Sequence, residues 1–130
     1  YAQLVFLDSV LDALSGEPFN ITIARHTLRL LSILNTLKGC CDEAGAFTAM
    51  GHELLQNFFH GDRAAFTDES ESNKQRFRKA LTFRTPDGGE IFCPYHGKIS
   101  QRYFRIHHSW PIRHNEPLYV AYIGPKITRH

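Results

Sequence analysis

The repeat of apolar residues changes near residue 80 from a helical period to an alternating one, and this change constrains the fold most. Before it, apolar residues recur every three to four positions, which predicts helices. After it, apolar and polar residues alternate in short runs separated by Gly and Pro, which predicts strands. The sequence therefore predicts an α+β chain, with a helical part over residues 1–80 and a β-sheet part over residues 81–130.

Three main helices are predicted in the first part. The first covers residues 2–14, the second runs from a capping residue at Asn20 to Gly39, and the third begins at Asp42 and ends by Gly61. The polar stretch 67–73 is expected to form a loop that leads into a short basic helix over residues 74–79.

Four strands are predicted in the second part. Residues 81–85 and 90–93 form two of them, and the Pro-Asp-Gly-Gly sequence at 86–89 is typical of the hairpin turn between them. Residues 101–109 and 118–123 form the other two, whereas residues 94–100 read as irregular. Short connections favour antiparallel pairing, so we expect N-terminal helices on one face of a small, mostly antiparallel four-stranded sheet.

The length and the cysteine content indicate one domain in a reducing compartment. A chain of 130 residues fits a single domain, here 1–130, that can bury a core without metal or disulfide. Its cysteines are Cys40, Cys41 and Cys93, and an odd number with an adjacent pair is a poor disulfide framework. No apolar run reaches the roughly 18 residues of a membrane span. A cytoplasmic location without a membrane partner is expected.

Charge is distributed unevenly along the chain. Residues 1–73 hold ten acidic and four basic residues, whereas residues 74–130 hold three acidic and eleven basic ones, with five of the eight histidines. The basic second part predicts an anionic partner, RNA or another nucleic acid. Two alternatives remain open: the acidic helices could pack on a basic sheet within the chain, or the basic part could bind an acidic protein.

The third predicted strand offers a basic face. Side chains alternate across a sheet, so Tyr103, Arg105 and His107 share one face, which we expect to be open. Phe104 and Ile106 share the other face, which we expect to pack on the helices. His108 would then point toward the core side.

Two flanking segments extend this face into a candidate catalytic site. His96 and Lys98 precede the strand and Lys126 follows the fourth, so we expect His96, Lys98, Arg105, His107 and Lys126 to converge. Histidines transfer protons near neutral pH and cations neutralise phosphoryl oxygens, while RNA supplies its own 2′-hydroxyl nucleophile. The set therefore predicts metal-independent RNA cleavage, with the acid and base assignment between the two histidines open. Further nucleic-acid contacts are predicted at Tyr95, Tyr103, Arg84, Arg102, Arg113 and Tyr122.

Metal-binding patterns are incomplete. Cys93 and His96 have a zinc-like spacing without a matching second pair, although His107, His108 or His114 could complete a site. The Pro-Asp and Glu-x-Lys pattern of metal-dependent nucleases fails, because Phe92 stands where Lys is required. No metal and no other cofactor is predicted. His26, His52 and His60 on the helices are interpreted as structural.

The last fifty or so residues resemble a widespread bacterial module. The resemblance is carried by His96-Gly97-Lys98, by Arg105-Ile106-His107 and by Gly124-Pro125-Lys126, and Glu69-Ser70-Glu71-Ser72 also fits it. Its layout is similar to RelE-type ribonuclease toxins of the barnase-like class. The resemblance implies that His96, Lys98, Arg105, His107 and Lys126 bind phosphate and transfer protons. It covers less than half the chain, and His108 stands where the pattern has an aromatic residue.

The function expected from these features is that of a metal-independent endoribonuclease of the bacterial toxin type. RNA is the expected partner, and an acidic protein such as an antitoxin is a second. A non-catalytic nucleic-acid-binding module would bind with strong salt dependence and without cleavage. A protein-interaction module of a larger bacterial protein would bind no nucleic acid. A metal-dependent DNA nuclease would lose its activity in EDTA.

Overall fold

The computed structural model describes residues 2–15, 21–99 and 104–129. These residues form four helices, a five-stranded mixed sheet and a separate two-stranded sheet, which confirms the α+β class. In chain order the elements are β1 (Leu4–Phe6), α1 (Asp8–Leu14), α2 (Ile21–Gly39), α3 (Ala49–Phe58), β2 (Phe66–Thr67), α4 (Glu71–Arg76), β3 (Thr82–Arg84), β4 (Glu90–Phe92), β5 (His96–Ile99), β6 (Phe104–His108) and β7 (Leu118–Pro125).

The main sheet differs from the predicted four antiparallel strands. Its order is β1-β7-β6-β5-β2, in which β1 runs parallel to β7 and the other pairs are antiparallel. Within the described ranges, β3 and β4 pair only with each other. The segment 94–100, expected to be irregular, contains β5, and the predicted first helix begins with strand β1 instead. β1 and β5 are strands because of the strands they pair with, since their own residues show no clear alternation of apolar and polar side chains.

The hairpin β3–β4 has the predicted turn. Asp87 accepts a hydrogen bond from the Gly89 amide through its carboxylate at 3.0 Å, and the Thr85 hydroxyl also donates to that carboxylate. Gly88 has a φ of +89°, a conformation that glycine adopts without steric cost. The turn residues therefore fix this hairpin locally, even though it lies outside the main sheet.

The main core lies between α2 and one face of the main sheet. α2 buries Ile23, Leu34 and Leu37 completely, and the sheet meets them with side chains that include Phe104 and Ile106. The prediction that Phe104 and Ile106 face the core is therefore confirmed. Burying an aliphatic or aromatic side chain of this size contributes about 1.5–3 kcal/mol, so this layer is the main source of stability.

The opposite face of the sheet is partly covered rather than open. A second apolar cluster of Leu7, Phe83, Cys93 and Ala121 lies there, with Tyr122 packed against it. Phe83 belongs to the β3–β4 hairpin, which therefore covers the end of the face that carries His107. The expectation that His107 lies on an open face is wrong, since this side chain is 1% exposed.

The third and fourth helices begin elsewhere than predicted. Asp42 accepts hydrogen bonds from the amides of Ala44 and Ala46, so it closes a loop rather than capping a helix. Thr48 takes the capping role for α3 and accepts from the Gly51 amide at 3.3 Å. Ser70 caps α4 through the amide of Asn73, which starts this helix inside the stretch expected to be a loop.

Cys40, Cys41 and Cys93 are all buried free thiols. Among the described residues, the helices are all too short or too polar to cross a bilayer.

Candidate active site

The pairing of β5 with β6 brings the predicted site residues together. In this antiparallel pair His96 lies opposite His107, and Lys98 lies opposite Arg105. Directly opposed residues share a face, so all four belong to one side of the sheet. Gly97, which lies between His96 and Lys98, faces the other side of the sheet. A Cβ on Gly97 would lie 2.7 Å from a ring carbon of Phe66 in the main core.

His96 is hydrogen-bonded to a buried carboxylate from the helical part. Its Nδ1 lies 2.9 Å from Oε2 of Glu69 and 3.2 Å from the Pro94 carbonyl oxygen. Both oxygens are acceptors, so Nδ1 carries a proton and donates it. Nε2 is then free to accept, and it lies 3.5 Å from the Thr67 hydroxyl. The imidazole is thus held in the orientation and tautomer of a proton acceptor.

Glu69 is the residue of this site to which the sequence assigned no role. It lies just before the Ser70 cap of α4, and its Oε1 accepts a hydrogen bond from the Asn73 side chain at 3.0 Å. Burial by itself would raise the pKa of Glu69, but the hydrogen bonds from His96 and Asn73 and the nearby histidine charge outweigh it and lower the pKa to about 2. Glu69 is therefore a carboxylate at neutral pH. Its position in a polar run of six acidic and hydroxyl residues gave no signal that singled it out as a partner of His96.

His107 is a neutral imidazole beside this pair. Its Nδ1 lies 2.8 Å from the Cys93 carbonyl oxygen, to which it donates, and its ring centroid lies 5.3 Å from that of His96. Burial, followed by the neighbouring His96 charge, lowers the pKa of His107 to about 3. His107 therefore carries no charge at neutral pH.

Cationic residues flank the two histidines. Lys98 is exposed, and Arg105 is partly buried and donates to the Phe104 carbonyl oxygen at 2.9 Å. Lys126 is partly exposed and lies two residues past Gly124, the partner of Arg105 on β7. The register therefore places Lys98 and Arg105 beside the histidine pair, with Lys126 at the adjoining end of β7.

The other predicted contact residues are spread over the molecule. Tyr122 lies opposite His107 on β7, with ring centroids 5.8 Å apart. Tyr95 instead stacks on Trp110 on the core side, with ring centroids 4.5 Å apart, so it cannot share the face of the histidine pair. Arg113 pairs with Glu116 at 3.3 Å in the β6–β7 connection. Arg84 is exposed on the β3–β4 hairpin. The predictions for Arg102 and Tyr103 lie outside the described residues.

Glu69, His96 and His107 also form a donor set that could hold a metal ion. One ligand atom from each lies within 4.8 Å of the others. Two imidazoles and a carboxylate are the protein ligands of several catalytic zinc sites. His107 further resembles a metal ligand in that a backbone carbonyl fixes its other ring nitrogen. The flanking cations are less favourable for a divalent cation, since like charges repel.

No protein-family model, curated protein or solved structure matches this chain. The likeness to the RelE-type layout therefore stays a prediction from the residues quoted above. What the structure defines is an α+β protein with a buried carboxylate–histidine pair next to cations.

Proposed function

We propose that this protein is a metal-independent endoribonuclease of the bacterial toxin type. The observation that supports the proposal is the Glu69–His96 pair, which leaves the Nε2 of the imidazole as an acceptor on the face of the sheet that also carries Lys98 and Arg105. A carboxylate at Nδ1 stabilises the imidazolium that forms when Nε2 takes up a proton. The neighbouring cations supply the charge that a phosphoryl group gathers in its transition state.

In the proposed reaction the substrate provides the nucleophile. His96 Nε2 takes the proton from a 2′-hydroxyl, and the 2′-oxygen forms a bond to phosphorus. The bond from phosphorus to the 5′-oxygen breaks, and this leaving oxygen takes a proton from Lys98. The products are a 2′,3′-cyclic phosphate and a 5′-hydroxyl end. Arg105 and Lys126 stabilise the negative charge on the phosphoryl oxygens during the step.

The two histidines take different roles in this proposal. The Nδ1 of His96 faces the Glu69 carboxylate, whereas the Nδ1 of His107 faces a backbone carbonyl, so His96 is the histidine that has the carboxylate partner of a general base. His107 is a positioning residue that packs against His96 and stays neutral. The proposal thus assigns the base to His96 and the acid to Lys98, where the sequence had left the roles of His96 and His107 open.

The test is a cleavage assay on matched RNA and DNA strands in EDTA. The wild type is expected to cut RNA, to leave cyclic phosphate ends and to spare DNA, which lacks the 2′-hydroxyl. His96→Ala is expected to lose cleavage by about 10²–10⁴-fold, the usual contribution of a general base. His52→Ala, an exposed histidine on α3, serves as control and should cleave like the wild type. DNA cleavage, or full activity in His96→Ala, would refute the proposal.

A metal-dependent phosphodiesterase is the second candidate, and the cluster of Glu69, His96 and His107 favours it. In that case EDTA would abolish cleavage and Zn²⁺ or Mn²⁺ would restore it. If the wild type binds RNA with steep salt dependence and never cuts it, the same cations serve a binding module instead. An acidic protein such as an antitoxin would bind these cations in competition with RNA.

A further inference from the structure

A basic cleft lies next to the candidate active site, on the helical side of β5. It has a volume of about 260 Å³ and lies between α2, the end of α3 and the segment before β2. Its polar lining comes from His26, Arg29, Asn57, Arg63 and Lys98, and Phe58 contributes an aromatic wall. None of the lining residues is Asp or Glu, although the first 73 residues hold ten acidic residues.

The cations of this cleft are available to a ligand. Arg29, Arg63 and Lys98 are exposed, and none of them takes part in an ion pair between described residues. The Arg29 guanidinium lies 5.8 Å from the centre of the Phe58 ring. This cation–π contact helps to orient the guanidinium and uses none of its hydrogen-bond donors. Several unneutralised cations in one concave surface focus a positive potential and favour an anion there.

Lys98 connects the cleft to the candidate active site. It lines the cleft, and it is also the second residue after His96 on β5. At about 3.3 Å per strand residue, the two backbone positions are about 7 Å apart. The register places the Lys98 side chain on the face of His96, opposite α2, so a polyanion that contacts both residues reaches Arg29 and Arg63 by passing around the edge of the sheet at Lys98.

We propose that this cleft binds a backbone phosphate of the RNA strand, outside the position that is cleaved. Arg29 and Arg63 contact the phosphate oxygens, and Lys98 lies between this phosphate and the scissile one. The identity of the strand as RNA rests on the proposed function, but binding in the cleft needs no cleavage. His26, interpreted from the sequence as structural, is exposed and lines the cleft.

The test is equilibrium binding of a fluorescent 2′-O-methyl RNA oligonucleotide, which lacks the nucleophile and stays intact. Fluorescence anisotropy is measured over a range of salt concentrations. The double variant Arg29→Gln/Arg63→Gln is expected to bind more weakly, with a slope of log affinity against log salt that is shallower by about 0.7, the value for one phosphate neutralised on a single strand. The control Arg25→Gln/Lys79→Gln removes the same charge from exposed residues outside the cleft and should keep the wild-type slope.

The outcomes separate this proposal from the proposed function. A shallower slope in the cleft variant alone supports the cleft, even if the wild type never cuts RNA. Equal slopes in the two double variants, or no binding by the wild type, would overturn it. Full RNA cleavage together with equal slopes would support the ribonuclease function and contradict only the proposal that the cleft binds phosphate.

Discussion

His107 and His108 are neighbours on β6, yet they lie in opposite environments. His107 faces Glu69 and His96, whereas His108 is fully buried among the rings of Phe66, Tyr95 and Trp110 on the core side. Burial lowers the pKa of both, to about 3 for His107 and about 4 for His108. A lowered pKa therefore reports burial and does not by itself mark function. What distinguishes the two faces is the carboxylate and the cations beside one of them.

The sharpest test of this comparison is catalytic. Glu69→Gln keeps the shape of the side chain but removes the charge that stabilises a protonated His96. Cleavage of RNA should fall by about 10–10³-fold, measured as kcat/KM on a short oligonucleotide. His108→Asn keeps a donor for the Ser109 carbonyl and should cleave within about threefold of the wild type. Equal losses in both variants would mean that the two faces do not differ in function.

Stability should show the reverse order on the same strand. Phe104→Ala removes a buried ring from the core side and should cost about 3–5 kcal/mol in the free energy of unfolding. Arg105→Ala, one residue further and on the site face, should cost about 1–2 kcal/mol, because part of its side chain lies at the surface. Urea unfolding measures both. A larger cost for Arg105→Ala would contradict the assignment of the faces.

Acid should weaken the fold through the buried histidines. Between pH 6.5 and about 4, the unfolded chain takes up a proton on His108 and the folded protein does not. The free energy of unfolding must then fall as the pH falls through this window, by about 1.4 kcal/mol per pH unit for one such group. In His108→Asn this contribution is absent, although that of His107 remains.

The measurement for this prediction is urea unfolding of the wild type and His108→Asn at several pH values across the same window. The variant should show the smaller decrease toward acid. If the free energies of unfolding of the two proteins fell in parallel with pH, His108 would take up its proton equally in the folded and unfolded states. The surrounding aromatic rings would then not shield it from protonation.

The smallest expected effect concerns the close contact between β5 and the core. Gly97→Ala places a Cβ 2.7 Å from the Phe66 ring and should cost about 1–3 kcal/mol in stability. Gly39→Ala adds a Cβ whose nearest neighbour is at 3.8 Å, so it should be neutral or slightly stabilising. Thermal unfolding compares the two. A neutral Gly97→Ala would show that β5 has room to shift, and would weaken the argument for a fixed His96.

Interactions between residues close in sequence determined the strand faces, the hairpin turn and the buried side of the long helix. The alternation of β6 correctly placed Phe104 and Ile106 in the core, because a strand turns successive side chains to opposite faces. The turn chemistry at Asp87 and Gly88 determined the β3–β4 hairpin. The helical period over α2 determined its buried side. These features depend on residues close in sequence, so the sequence alone could predict them.

The tertiary structure decided the rest, because those features depend on partners far away along the chain. β1 is a strand through its pairing with β7, and β5 through its pairing with β6 and β2. Gly97 leaves room for the Phe66 ring against β5. Glu69 reaches His96 from the helical part across 27 residues of sequence, and no local pattern encodes that contact. The cleft likewise collects cations from the acidic half of the chain beside Lys98. Net charge and the hydrophobic period can be read along a sequence. A site, in contrast, consists of a few side chains that only the fold brings together.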